Sequence, residues 1–298
     1  MKKLISITFM ALAMNCLIAQ TTSPEVVASS GGYYEGTSAS LSWTLGELAT
    51  ETYTTGGVTL TQGFQQPIIV SVTGINVDVL VFLEGPFEGT EMNTSLNTSG
   101  TIPLDQPYNI APWNYSGTEN VLAIPNSEVV DWVLVELRDA ADAASATSAT
   151  RVARQAAFIK KDGSIVGLDG TTSLQFSNSI TQQLFVVIWH RNHLGVLSAN
   201  ALTLSGGIYT YDFSIALTQA YNADFGYKLI GSGIYGMAGG DADADGDVDL
   251  TDIAAWKTNA GTTGYKSSDF NMNNQVSNTD KNDVWVENNG TLSTQVPD

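Results

Sequence analysis

The sequence predicts a mainly β protein: an antiparallel β-sandwich, preceded by a small β module and followed by a small α-helical domain built on two acidic loops. Three observations lead there. Short apolar and β-branched runs recur between turn residues over 68–221, and no amphipathic helical pattern longer than about ten residues interrupts them. Upstream, Leu41-Ser-Trp-Thr-Leu45 and Val58-Thr-Leu60 alternate apolar and polar residues on either side of Gly56-Gly57, a hairpin signal. Downstream, two dodecapeptides rich in Asp and Asn begin at Asp241 and Asp269, 28 residues apart.

Residues 1–20 open Met-Lys-Lys and continue as a mostly apolar run from Leu4 to Ala19, which reads as a secretory signal peptide cleaved after Ala19 or Gln20. A secreted, extracellular or cell-surface protein is expected. The single cysteine, Cys16, falls inside this segment, and Asn15 stands where a lipobox requires a small residue. Without a thiol after processing, the chain has no disulfide to staple it, and a bound cation is the natural substitute.

Residues 21–67 form the small β module, 68–221 the sandwich, 222–240 a Gly-rich linker and 241–298 the acidic-loop domain. Within the sandwich, strands are expected at Val77–Leu83, Val129–Leu137, Arg151–Lys160, Leu184–Trp189, Ala201–Leu204 and Tyr209–Leu217. Val129–Asp139 is apolar on both faces through its middle and belongs in the centre of a sheet. Asp162-Gly163 is a two-residue turn. The Ala/Ser/Thr tract Ala140–Thr150 reads as a mobile connection, and the glycines of 226–240 suit either close packing against the sandwich or a hinge.

The two dodecapeptides carry the clearest chemistry. A hard cation takes six to eight oxygens, and a twelve-residue loop supplies them from side chains at positions 1, 3 and 5, a carbonyl at 7, a group at 9 and a carboxylate at 12. In the first loop these are Asp241, Asp243, Asp245, Asp247 (carbonyl), Asp249 and Asp252. In the second they are Asp269, Asn271, Asn273, Gln275 (carbonyl), Ser277 and Asp280. Position 6 must turn sharply and holds Gly246 or Asn274, both tolerant of positive φ. Position 8 is Val248 or Val276, as paired loops require if they bridge one another. Two calcium ions are expected.

The pair resembles a type I dockerin rather than a true EF-hand. Position 12 is Asp in both copies, and each loop runs directly into a helical stretch, Thr251–Asn259 and Asp280–Glu287, with no entering helix. Trp256 and Trp285 fall 15 and 16 residues after their loop starts and are expected in a shared small core with Val248, Ile253, Val276 and Val284. Dockerins dock onto cohesins largely through loop positions 10 and 11. Here those are Leu250-Thr251 and Asn278-Thr279, which depart from the usual Ser-Thr pairs, so the resemblance implies calcium binding and leaves a cohesin-like partner as one option beside an intramolecular clamp. Ala28–Gly32, Leu41–Glu47 and Leu60–Pro67 resemble the N-terminal segment of secreted Bacteroidota proteins. Phe82-Leu-Glu-Gly85, Pro112–Glu119, Val130–Asp139, Lys161–Gly163 and His190-Arg-Asn-His193 resemble a β-rich module of such proteins often labelled haemagglutinin-like.

The formal charge of −18 becomes −20 once residues 1–20 are removed, which argues against nucleic acid and anionic lipid as partners. His190 and His193, placed on a continuing strand, point to opposite faces, and the plainer reading is a polar turn whose Arg191 and Asn192 bond locally. Glu84, Glu119, Asp131, Glu136 and Asp139 are the carboxylates available for glycoside hydrolysis, but Asp131 and Glu136 lie on opposite faces of one strand, and no Ser elbow, zincin or phosphate-loop motif is present. Trp113 and Tyr115, in a loop between Pro112 and Ser116-Gly117, are the candidates for stacking on a sugar. The sequence therefore points to a non-enzymatic adhesion or interaction protein whose partner is a cell-surface glycan or protein. A second reading is a dockerin-bearing accessory subunit of a polysaccharide-degrading complex, with carbohydrate binding or glycoside hydrolysis in its sandwich.

Overall fold

The structure is a computed structural model that describes residues 30–35, 40–45, 52–55, 58–61, 74–291 and 296–298. The leader expected over 1–20 and the Gly56-Gly57 turn lie outside the described residues. The chain divides into two compact units, 1–71 and 72–298. In the first, β1 (Ser30–Glu35) pairs antiparallel with β2 (Ser40–Leu45), and β3 (Thr52–Thr55) with β4 (Val58–Thr61). Thr55 faces Val58, the register that a two-residue connection requires.

The second unit is mainly β, and two sheets share one core. β5 (Ile75–Leu80) and β9 (Leu174–Phe176) belong to a four-stranded sheet completed by β12 (Thr203–Ser205) and β13 (Ile208–Asp212), in the order β12-β13-β5-β9. The five-stranded sheet contains β6 (Val129–Ala140), β7 (Arg151–Lys160), β8 (Ile165–Val166), β10 (Gln183–Trp189) and β11 (Val196–Leu197), ordered β11-β10-β6-β7-β8. β6 is its middle strand, as its two apolar faces predict, and Trp132 stacks on Phe158 of β7 with ring centroids 4.1 Å apart. The Asp162-Gly163 turn forms as expected, with Gly163 at φ +83° and β7 folding back on β8.

Two expectations fail, and the Gly-rich stretch takes the packed of its two alternatives. The sandwich is not purely antiparallel, because β13 runs parallel to β5, Ile208 facing Asn76; alternation assigns the faces of a strand but not the direction of its neighbour. Ala140–Thr150 is no loose tether: Ala140, Ala143 and Ala146 are buried against Phe185, Val187 and Leu197 on the outer face of the sheet. The Gly-rich stretch 222–240 contains a hairpin, β14 (Tyr227–Leu229) with β15 (Tyr235–Met237), and Met237 bonds to Phe82 and Glu84 of the sandwich. The acidic loops sit within the same compact unit as the sheets. Among the described residues no helix is long and apolar enough to cross a membrane.

Candidate metal centre

Both dodecapeptides fold into the same loop, and the side chain at position 12 closes each. Asp252 Oδ1 accepts from Ala242 N at 2.6 Å and its Oδ2 from Asp249 N at 2.7 Å. Asp280 repeats this, with Oδ1 accepting from Asn271 N at 3.0 Å and Oδ2 from Ser277 N at 2.7 Å. At position 1, Asp241 accepts from Gly246 N and Asp269 from Asn273 N and Asn274 N. Position 6 has positive φ in both, +94° at Gly246 and +73° at Asn274, as the sequence predicts. Position 4 does too, +58° at Ala244 and +56° at Met272, a symmetry that no residue preference signals.

Helices leave the loops where expected. The first, Leu250–Asn259, is opened by a capping box: Asp249 accepts from Thr251 N while Asp252, three residues on, accepts from Asp249 N. Gly261, at φ +85°, turns the chain away after it. The second begins π-helical over Asp280–Trp285 and closes as α-helix over Val286–Asn288. Capping has a consequence for position 9. The Asp249 carboxylate and the Ser277 hydroxyl, expected as cage oxygens, are engaged with Thr251 N and Thr279 N respectively.

The two halves interlock reciprocally. Trp256 Nε1 donates to Ser277 O at 2.8 Å and Trp285 Nε1 to Asp249 O at 2.9 Å, so each indole bonds position 9 of the opposite loop. The expected core residues Val248, Val276, Val284 and Ile253 are buried but do not form one core: Val248 clusters with Leu194 and Ala238, and Val284 with Ala242 and Phe270, with Trp285 beside both. Val248 and Val276 do not bridge one another, however. Val248 pairs with Gly290 and Thr291, and Val276 with Gly261 and Thr262, so each loop bonds the chain leaving the other loop's helix.

In the first loop one oxygen each from Asp241, Asp243 and Asp252 lies within 4.8 Å of the others. Asp241 is 3% exposed, and its Oδ1 has no hydrogen-bond partner. Burial, with the charge of Asp252 close by, pushes its carboxyl up to about 8; burial and Asp243 bring Asp252 up to about 6. In the second loop burial and Asp280 push Asp269 up to about 6. Crowded carboxylates with a buried, unpartnered oxygen fit a hard divalent cation, which supplies the missing partner and offsets the mutual repulsion. Asp241, Asp243, Asp245, Asp252 and the Asp247 carbonyl are the residues that would hold it in loop one; Asp269, Asn271, Asn273, Asp280 and the Gln275 carbonyl would do so in loop two.

No protein-family model matches the chain, and no curated protein matches it. Among solved structures it is similar to an N-terminal interface mutant and a C-terminal interface mutant of a type II Cohesin-X-Dockerin complex from Acetivibrio cellulolyticus. Identity is 14% and the TM-score 0.37 in both cases. The match covers 73% of this chain and 98% of that chain in the first, 74% and 99% in the second. A likeness of that size carries no argument, and the site is read from its own atoms.

Those atoms tie the loops to the sandwich through the segment His190–His193, immediately after β10. Asn192 bonds locally in part, its Oδ1 lying 2.8 Å from His193 Nδ1, but the other bonds of Arg191 and Asn192 reach distant residues. Asn192 Nδ2 donates to Ser267 O and Asp269 O at 3.0 and 2.9 Å, and its carbonyl accepts from Gly240 N, the residue before Asp241. Arg191 Nε pairs with Asp131 Oδ2 at 2.8 Å, while its guanidinium lies 4.2 Å from the Tyr265 ring centroid. Burial opposes ionisation of Asp131, yet Arg191, His190 and Tyr265 together hold its carboxyl at about 2. His190 and His193 are fully enclosed with their rings 4.9 Å apart rather than on opposite faces, and burial keeps both below the usual histidine range. His193 Nε2 accepts from Gly85 N at 3.1 Å. The motif was visible in the sequence; its partners, some 75 residues away, were not.

The remaining sequence candidates separate. Tyr115 is 9% exposed, donates to Glu119 and lies under Arg154, so its ring is not offered to a ligand. Trp113 is half-buried, packs edge-on against Tyr108 and lines a cavity. Asp131 and Glu136 are each engaged by arginine in different places, and Asp139 caps Thr181 and Gln182.

Proposed function

We propose that this protein is an extracellular, non-enzymatic interaction module whose paired loops bind two calcium ions and clamp the helical segment onto the sandwich. The observation that carries this reading is Asp241: a buried carboxylate with an unpartnered oxygen, converging with Asp243 and Asp252, one residue from the backbone bond that Asn192 makes to Gly240. Ion binding to such a site appears as folding free energy, because the unfolded chain has no preformed cage. The dockerin-like loop pattern and the haemagglutinin-like motifs support a secreted or surface setting, with a glycan or protein as ligand. Asp131 and Glu136 are each held by an arginine, and Asp139 by Thr181 and Gln182, which supports binding over catalysis.

A second reading, a dockerin-bearing accessory subunit, is favoured by one observation: positions 10 and 11 of both loops are exposed, Leu250 at 73%. The test of the first reading is calorimetric titration of the metal-stripped full chain with calcium, beside thermal melts. Saturation near 100 times Kd stabilises by about 2.7 kcal/mol per site, which for a unit of this size is roughly 5–10 °C in Tm. A chain that takes up no calcium, or whose melting is unchanged by it, overturns the reading.

A further inference from the structure

The chain has four arginines against a formal charge of −18, and three of them, Arg138, Arg151 and Arg154, line one cavity of about 370 Å³. Strand register brings them together. Glu136 faces Arg154 and Arg138 faces Arg151 across β6 and β7, and a bulge beside Arg138 puts Arg151 and Arg154 on one face despite their three-residue spacing. The indoles of Trp113 and Trp189 line the same space, and Ala244–Gly246 of the first loop contribute to its wall.

The guanidiniums are not equivalent. Arg138 is buried and engaged: Nε bonds Glu136 at 2.8 Å, and Nη1 the carbonyls of Ala146 and Pro297, each at 2.6 Å. Arg151 is 39% exposed and reaches only the second Glu136 oxygen, at 3.5 Å. Arg154 gives Nη1 to Trp113 O at 2.8 Å. Among the described residues Glu136 is the sole carboxylate ion-paired with any of the three; Asp245 and Asp298 also line the cavity but pair with none of them. Burial and the charge of Arg151 depress the Arg154 pKa, against the opposite pull of Glu136 and Tyr115.

We infer that this cavity is a binding site for an acidic saccharide, a pyranose bearing a carboxylate or sulfate, with Arg151 and Arg154 receiving the anionic group and Trp113 and Trp189 flanking the ring. A planar guanidinium fork matches carboxylate or sulfate oxygens in pairs, a polar contact with direction. Aromatic walls around a few placed charges are the general make-up of a small-ligand site, and this volume lies at the small end of that range. An acidic peptide uses the same charges but makes less use of two tryptophans in the lining. The inference names a ligand class for the interaction role proposed above and rests on that role, but not on calcium.

The experiment is calorimetric titration of the full chain, in calcium and again after metal stripping, with glucuronate, galacturonate, glucose 6-sulfate, neutral glucose and oligoglutamate. The same titrations are made on Arg151→Gln, Arg151→Lys and Arg154→Gln, each checked by thermal melting. Expected is binding of the uronates or the sulfated sugar and not of glucose, weakened about tenfold or more in Arg151→Gln, where one charge-assisted contact is lost. Arg151→Lys retains an intermediate affinity because charge remains without the fork. Glucose binding as well as uronate, unchanged affinity in Arg151→Gln with an intact melt, no binding of any acidic sugar, or binding of oligoglutamate alone each overturns the assignment. Saccharide binding that ignores both arginine variants overturns it while leaving the interaction role standing, and acidic-sugar binding by a chain that takes up no calcium sinks only the calcium clamp.

Discussion

Asn192 and Asp269 are joined by a 2.9 Å hydrogen bond from the asparagine side chain to the aspartate carbonyl, so the first residue of the second acidic loop is held by the turn that ends β10. Its backbone carbonyl accepts from Gly240 N ahead of the first loop. One residue therefore borders the start of both loops, through its side chain at the second and its backbone at the first.

Asn192→Ala removes two donations and leaves the Ser267 and Asp269 carbonyls without them. The expected cost is about 1–3 kcal/mol, read by chemical denaturation of the calcium-loaded chain, together with weaker calcium binding in loop two. A change under about 0.5 kcal/mol would mean the clasp is incidental.

Gly85 tests the same seating from the sandwich side. A Cβ there meets the Phe270 carbonyl, a backbone atom that cannot swing aside. Gly85→Ala is expected to destabilise by about 1–3 kcal/mol through overpacking and to shift the near-ultraviolet signal of Trp256 and Trp285. Full stability with an unchanged spectrum contradicts the close approach.

Metal removal should reverse the usual pH behaviour of the loops. Asp241 is raised to about 8, and Asp252 and Asp269 to about 6, so between pH 4 and 8 the folded, metal-free chain holds protons that the unfolded chain has released. Their contribution to stability is fully present at low pH and is lost as pH rises through those values. The buried His190 and His193, held below the usual histidine range, pull the other way over this window, so the loop effect is read against a variant: on going from pH 5 to pH 8 the resin-stripped chain should lose more, or gain less, Tm than stripped Asp241→Asn, and calcium should raise the pH 8 value. An identical pH dependence in the two stripped chains refutes this.

The two loops are expected to be unequal. With Asp249 engaged as a cap, loop one still presents the carboxylates of Asp241, Asp243, Asp245 and Asp252, against Asp269 and Asp280 in loop two. More charge favours the divalent ion. Asp241→Asn should abolish the tighter calorimetric phase and Asp269→Asn the weaker one; the opposite assignment reverses the ranking.

Leu250 and Asn278 occupy position 10 of the loops, where type I dockerins present hydroxyls, and both are exposed. Immobilised type I cohesins should not retain the calcium-loaded chain. Tight, calcium-dependent retention would favour the accessory-subunit reading over the intramolecular clamp.

The loops were legible because their geometry is local: twelve residues carry the acidic and amide side chains, the positive-φ position and the cap, and Gly246, Asn274 and the helix starts appear where spacing alone places them. Strand positions were legible for the same reason, and β7 matches its expected bounds residue for residue. Partners were not. The parallel run of β13 beside β5, the contacts of Arg191 and Asn192 with residues 266–269, the reciprocal tryptophan bonds and the gathering of three arginines into one cavity all join residues far apart in sequence. Periodicity reports which face of an element avoids water, whereas the choice of partner follows from packing the whole chain at once. By itself, then, the sequence determined the β class, the central strand and the two acidic twelve-residue loops; the tertiary structure decided that those loops are seated on the sandwich, because a buried Asp131, Arg191 and Asn192 can be satisfied only by groups the fold brings to them.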